Sequence, residues 1–205
     1  MEPIYIDVHI HTSDNPDSLN TAYDLDTLLS KVDVCAKGAH YLLSFTDHNT
    51  INKDVYLKAL AQRENNPKLH LILGVELHIN NYDSTPAYHC HIFFKSSITE
   101  EVIDDINQKL DDLYPKKHVE KMDNSIPHLE KIIRTFDDYD FILLPHGGQS
   151  HATFDISIPK GVTFDTTMER NIYYNQFDGF TARSNKGLEQ TIAYFKRLGI
   201  AEFVN

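Results

Sequence analysis

Ile4-Tyr5-Ile6-Asp7-Val8-His9-Ile10-His11-Thr12 is an apolar run that ends in two histidines one residue apart. From Pro3 to Ile10 it reads as a buried strand, short and rich in β-branched and aromatic residues. Side chains two apart on a strand share a face, so Asp7, His9 and His11 are expected to point one way and Val8 and Ile10 the other. Two imidazoles about 7 Å apart along such a strand can enter one cation's coordination shell or two adjacent shells. Four further apolar runs carry the same residue types at or beside their ends: Thr46-Asp47-His48, Gly74-Val75-Glu76, His89-Cys90-His91 and Pro145-His146. One such pair means little. Repeated at successive strand ends, the pattern aims imidazoles and carboxylates at one point, which is how a multinuclear metal site is built.

Between these runs lie helix-like segments. Asp24 to Ala36 places Leu25, Leu28, Leu29 and Val32 at helical spacing, with Gly38 as a stop. Tyr41 to Thr46 reads as the second strand, Asn52 to Asn65 as a helix, and Leu69 to Ile79 as one long strand with a bulge at Gly74. Tyr88 to Phe94 gives the fourth strand, Thr99 opens a helix with Glu100 and Glu101 at its positive end, Ile126 to Phe136 is helical, and Phe141 to Leu144 is the fifth strand. Further strands are expected near Gly161 to Phe164, over Phe177 to Thr181 and from Ala201 to Val204, with a helix over Gly187 to Leu198. Strands alternating with helices predict an α/β domain with parallel pairing. A closed or nearly closed β/α barrel is preferred to an open doubly wound sheet, because an open sheet presents ligands mainly at its switch point, whereas here nearly every strand contributes a candidate.

At 205 residues the chain fits a single domain, 1–205. Lysine and arginine total 19 against 30 acids, a formal charge of -11, so a broad electrostatic footprint for nucleic acid is absent, although bound divalent cations would offset part of the deficit. Cys35 and Cys90 are far apart and in no metal-type spacing. With neither a signal peptide nor a membrane-length apolar stretch in view, the expected compartment is the cytoplasm, and no membrane partner is expected.

Glu76 is the most telling single residue, because a carboxylate at the end of Leu71-Ile72-Leu73-Gly74-Val75 needs a partner and metal coordination supplies one. Gly147-Gly148 leaves the backbone bare beside His146, where a ligand could approach. His40, His70, His78, His118, His128 and His151 take the ordinary reading of isolated histidines. His89 is the alternate should His91 face outward, and Cys90 between them reads as core.

Asp7 to Thr12 as Asp-x-His-x-His-Thr, Thr46 to Asn49 as Thr-Asp-His-Asn, Gly74 to Glu76 as Gly-x-Glu, a histidine before an apolar run and a Pro-His together resemble the PHP (polymerase and histidinol phosphatase) superfamily, well from Ile4 to His146 and weakly beyond. The resemblance implies a distorted (β/α)7 TIM-like barrel that this chain leaves unfinished at its C-terminus. It implies metal ligands at His9, His11, Asp17, His48, Glu76, His91 and His146, with Glu76 bridging two cations and Asp7 and Asp47 orienting ligands. Up to three divalent ions are implied, zinc, manganese or iron by their mixed nitrogen and oxygen donors. The family's closing Asp-x-His does not follow Val204-Asn205, so the chain is expected to be the amino-terminal part of a longer protein.

The implied activity is hydrolysis of a phosphate ester by a metal-bridging hydroxide, with Arg170, Arg183 and Lys160 as candidate grips on the phosphate oxygens. The acidic balance favours a small phosphate monoester. The alternatives are a nuclease module acting on DNA or RNA phosphodiesters, and a catalytically incomplete structural or regulatory module attached to a further domain, a polymerase or an ATPase.

Overall fold

The computed structural model describes residues 4–80, 86–120, 123–147, 176–181 and 185–198. In chain order the described elements are β1 (Ile4–Ile10), α1 (Leu25–Ala36), β2 (His40–Phe45), α2 (Lys53–Arg63), β3 (Leu69–Leu71), β4 (Leu73–Ile79), β5 (Tyr88–Phe94), α3 (Glu100–Leu113), α4 (Leu129–Thr135), β6 (Phe141–Pro145) and α5 (Asn185–Leu198). The expected alternation of strand and helix holds only up to β3, after which β4 and β5 follow without a helix between them. The expected α/β class is therefore observed. The chain divides into two compact units: Met1–Glu76, Phe93–His118 and Phe136–Phe141 form the first, and Leu77–Ile92, Val119–Thr135 and Ile142–Asn205 the second.

In the first unit β1, β2 and β3 pair in parallel in that order. One face of β2 is covered completely, with Tyr41, Leu43 and Phe45 at 0% exposure. The helices turn their apolar stripes inward: Leu25, Leu29, Val32 and Ala36 of α1 and Ile103, Ile106, Leu110 and Leu113 of α3 are buried at spacings of three and four. Each helix begins where a short polar side chain takes over a free backbone donor. Asp24 accepts from Thr27 N at 3.0 Å, Asn52 from Val55 N at 3.4 Å and Thr99 from Val102 N at 3.3 Å. Helix α1 stops at Lys37 and Gly38, whose φ values of 51° and 85° turn the chain left-handed.

The strand expected over Leu69 to Ile79 is interrupted at Ile72 rather than bulged at Gly74. The cause is the hydroxyl of Tyr56, fully buried on α2, which donates toward the carbonyls of Ile72 and Phe45, both 3.1 Å away, and accepts from Gly74 N at 3.0 Å and Phe45 N at 3.1 Å. Groups that a strand ladder would consume are taken by one side chain, and burial pushes the phenol up to about 12, so it keeps its proton. Beyond the break the pairing resumes: His48 and Glu76 form a parallel bridge, with Glu76 N donating to Asp47 O at 3.2 Å and Asn49 N to Glu76 O at 2.9 Å.

Gly74 is required by space. A Cβ there would lie 2.5 Å from Ser44 Oγ and 2.7 Å from Phe93 Cδ1. Gly74→Ala is expected to destabilise the fold by about 1–3 kcal/mol, as overpacking does in a close-packed core. It should also weaken cation binding, because Glu76 is two residues along the same strand. A urea melt beside a metal titration checks both, and a variant with wild-type midpoint would show that the strands part without strain.

Strands β4, β5 and β6 form the second sheet, in that order. In the second unit Leu77, Ile79, Tyr88, Cys90, Ile92 and Leu143 are buried, and Tyr88 meets Phe177 edge to face at 6.2 Å. The strand expected over Phe177 to Thr181 forms only a bridge, Thr181 with His146. Here the carboxylate of Asp178 accepts from Leu143 N at 2.8 Å, so a side chain takes the place of a ladder bond.

Among the described residues two three-stranded sheets are present and no barrel closes. The expected strands near Gly161 and from Ala201 lie outside the described residues. No helix among the described residues is long and apolar enough to cross a membrane.

Candidate metal centre

Strict alternation along β1 predicts one face for Asp7, His9 and His11, and the structure corrects this. Asp7 is in register with Leu43 and Ile10 with Phe45, so three steps on β1 oppose two on β2. Leu43 and Phe45 share a face, and the extra residue therefore sets Asp7 on the side of Ile10, away from the face of His9 and His11. The Asp7 carboxylate is 3.5 Å from His9 N, a contact at the limit of a hydrogen bond.

Four candidate ligands of the first unit converge. Glu76, 1% exposed, presents Oε2 to His11 Nε2 at 3.0 Å, His9 Nε2 at 3.3 Å and His48 Nδ1 at 3.4 Å. The two Nε2 atoms of His9 and His11 are themselves 3.0 Å apart. Nitrogen lone pairs that close to each other and to a carboxylate repel unless protons or a cation lie among them. A tetrahedral cation with bonds of 2.0–2.1 Å would space its donors by about 3.3 Å, so the observed separations suit one without rearrangement. The donor atoms of His11, His48 and Glu76 all lie within 4.8 Å of one another, with no thiolate in the group, a mixed nitrogen and oxygen set that fits a divalent metal ion.

The scaffold behind these ligands is a buried polar network. Asp47, 1% exposed, accepts from Thr12 N at 2.7 Å, Thr12 Oγ1 at 2.5 Å and Ser13 N at 2.9 Å. Thr12 Oγ1 in turn accepts from Asn52 Nδ2 at 2.8 Å. Asp47 thus ties the chain leaving β1 to the chain leaving β2, and His11 and His48 are the immediate neighbours of the tied residues. Burial holds the Asp47 carboxyl above the usual carboxylate range, with its hydrogen bonds pulling the other way. Asn49 completes the clamp. Its φ of 56° is a conformation asparagine tolerates better than most residues, its N–H holds Glu76 O, and its Nδ2 donates to Lys117 O at 2.8 Å. Sequence reasoning missed Thr12, Asn49 and Asn52 as positioning residues, although Thr12 and Asn49 stand inside the quoted motifs.

The hydrogen bond to Glu76 holds the His11 imidazole above its usual range against the opposing effect of burial. A histidine raised on folding stabilises the fold fully below its unfolded value of about 6.5, and that increment disappears as pH rises through the folded value. Chelator-stripped protein is therefore expected to lose thermal stability on going from pH 6 upward. His11→Ala should flatten that slope, and an identical slope in the variant would rule out His11 as its source.

Asp17 does not join the converging donors. Its Oδ1 accepts from Lys117 N at 3.0 Å and His118 N at 3.4 Å, so it anchors the segment after α3. Arg170, Arg183 and Lys160 lie outside the described residues.

In the second unit His91, on β5 and 1% exposed, and His146, 8% exposed, face each other with ring centres 5.0 Å apart and donor nitrogens within 4.8 Å. His146 is fixed at the backbone: its N donates to His89 O at 2.9 Å, while Gly147 N donates to Thr181 O at 2.8 Å and Thr181 N to Pro145 O at 3.0 Å. Cys90, between the two histidines of β5, is buried as expected of a core residue, and Cys35 is exposed.

No protein-family model matches the sequence, and no curated protein matches it. Among solved structures the chain is similar in fold to a protein of Bifidobacterium adolescentis described as a candidate metal-dependent phosphoesterase, at 12% identity and a TM-score of 0.50, over 98% of this chain and 86% of the other. A likeness to an amidohydrolase of Chromobacterium violaceum, solved with bound sulfate and no metal, has a TM-score of 0.48 at 15% identity, over 95% of this chain and 84% of that one.

Proposed function

We propose that the protein is a metal-dependent hydrolase of phosphate esters, related to the PHP superfamily. The observation that carries this reading is the meeting of His9, His11 and His48 on a single carboxylate oxygen of buried Glu76. The fold likeness to the candidate phosphoesterase and the motifs from Asp7 to His146 support it. In this reading His9, His11, His48 and Glu76 hold one or two cations, and His91 and His146 are ligands of a further one. Divalent ions bound by such donors supply a water deprotonated near neutral pH and charge neutralisation for the phosphoryl group.

The chain's own groups do the rest. Glu76 orients three imidazoles at once and balances their cations. Asp47 keeps the two ligand-bearing turns at fixed separation, so no reorganisation is needed as charge develops. Gripping the non-bridging phosphate oxygens falls to Arg170, Arg183 and Lys160. The formal charge of -11 favours a small monoester over a nucleic-acid strand, which a basic groove would be needed to hold.

Metal-stripped protein assayed with added manganese on p-nitrophenyl phosphate and on bis-p-nitrophenyl phosphate tests this. Metal-dependent hydrolysis of the monoester, lost on rechelation, is expected. Turnover confined to the diester or to DNA would assign a nuclease, and metal binding without turnover of either would assign a non-catalytic module.

A further inference from the structure

The second unit holds more converging imidazoles than the motifs assign. His78 on β4 and His89 on β5 are both half-buried. Their rings meet edge to face at 4.4 Å, and a donor nitrogen of each lies within 4.8 Å of one on the other. His89 is in turn 5.6 Å by ring centres from His146, which directly follows β6 and whose N donates to His89 O at 2.9 Å. Strand alternation puts His78 on the face of β4 that bears Glu76, and His89 on the face of β5 that bears His91. The isolated-histidine reading of His78 therefore does not survive its surroundings.

We propose that His78 and His89 are ligands of a further transition-metal cation, one that the sequence motifs do not provide for. The inference rests on the metal-dependent reading above. Two imidazoles on adjacent strands form a nitrogen-only donor pair, which suits zinc, cobalt, nickel or copper and disfavours magnesium or calcium. The pair is also preorganised: each residue sits inside a strand, with neutral Leu77, Ile79, Tyr88 and Cys90 packed in the core on the opposite faces, so little ordering is left to be lost on binding.

Cobalt(II) titration of stripped full-length protein, read by visible absorption, with retained zinc counted by elemental analysis, tests the assignment. His78→Asn and His89→Asn are each expected to bind one equivalent at least 10- to 100-fold more weakly, the loss adding to that of His9→Ala. Where an asparagine variant fails to fold, zinc protection of His78 and His89 against diethyl pyrocarbonate in the unaltered protein gives the same answer by mass spectrometry. Unchanged stoichiometry and affinity in both variants, or equal modification with and without zinc, would overturn this inference and leave the Glu76 centre standing. A wild-type protein that holds no cation would overturn both.

Discussion

Glu76→Ala is expected to abolish tight divalent-cation binding and to lower metal-dependent hydrolysis by about three orders of magnitude. The size follows from position. Three imidazole nitrogens lie 3.0–3.4 Å from one oxygen of this side chain, so its removal takes away three shared contacts at once. Lewis-acid stabilisation by a bound metal is worth several kcal/mol, and each 1.36 kcal/mol is tenfold in rate, which gives about 10³. Glu76→Gln keeps the shape and removes the charge, and it should fail almost as completely. It carries a second signature: in stripped protein the raised titration of His11 originates mainly in its hydrogen bond to Glu76, so the imidazole should titrate lower in the variant. Proton NMR of His11 reads this without any turnover. A variant that keeps wild-type metal content and rate would mean that the carboxylate is a structural partner of the histidines and nothing more.

Asp47→Ala is expected to have the largest effect on stability. It leaves the N–H groups of Thr12 and Ser13 buried without an acceptor, along with the Thr12 hydroxyl proton. At about 1–3 kcal/mol for each unsatisfied buried group, partly relieved by water, a cost of about 2–4 kcal/mol follows. Asp47→Asn separates the contributions. Its amide oxygen can keep both backbone donors, but its NH2 would point a donor at Thr12 Oγ1, which already accepts from Asn52. That variant should lose about 1 kcal/mol, and both should weaken cation binding by about 10- to 100-fold, since the turns bearing His11 and His48 are no longer tied. Denaturant melts and calorimetric metal titrations measure the two effects separately. An Asp47→Asn protein as unstable as Asp47→Ala would place the energy in the charge rather than in the hydrogen bonds.

The helices and strands up to Leu144 were legible because their signals are local: caps at Asp24, Asn52 and Thr99, apolar stripes at helical spacing, and short runs bounded by polar turns. The meeting of His9, His11, His48 and Glu76 was legible for a different reason, since a carboxylate and imidazoles at successive strand ends have few other uses. What escaped was set by distant partners. The break at Ile72 depends on a hydroxyl reaching over from α2, the lost alternation at Asp7 on a register shift against β2, and the engagement of Asp17 on a backbone a hundred residues away. His78 carries no signal in the sequence because no histidine lies two positions from it, and its partner comes from the neighbouring strand.

Anomalous diffraction from zinc-soaked crystals tests the central claim most directly. The account predicts a peak within about 2.0–2.2 Å of a Glu76 carboxylate oxygen and of imidazole nitrogens from His9, His11 or His48. Well-ordered side chains with no anomalous density among them would contradict it.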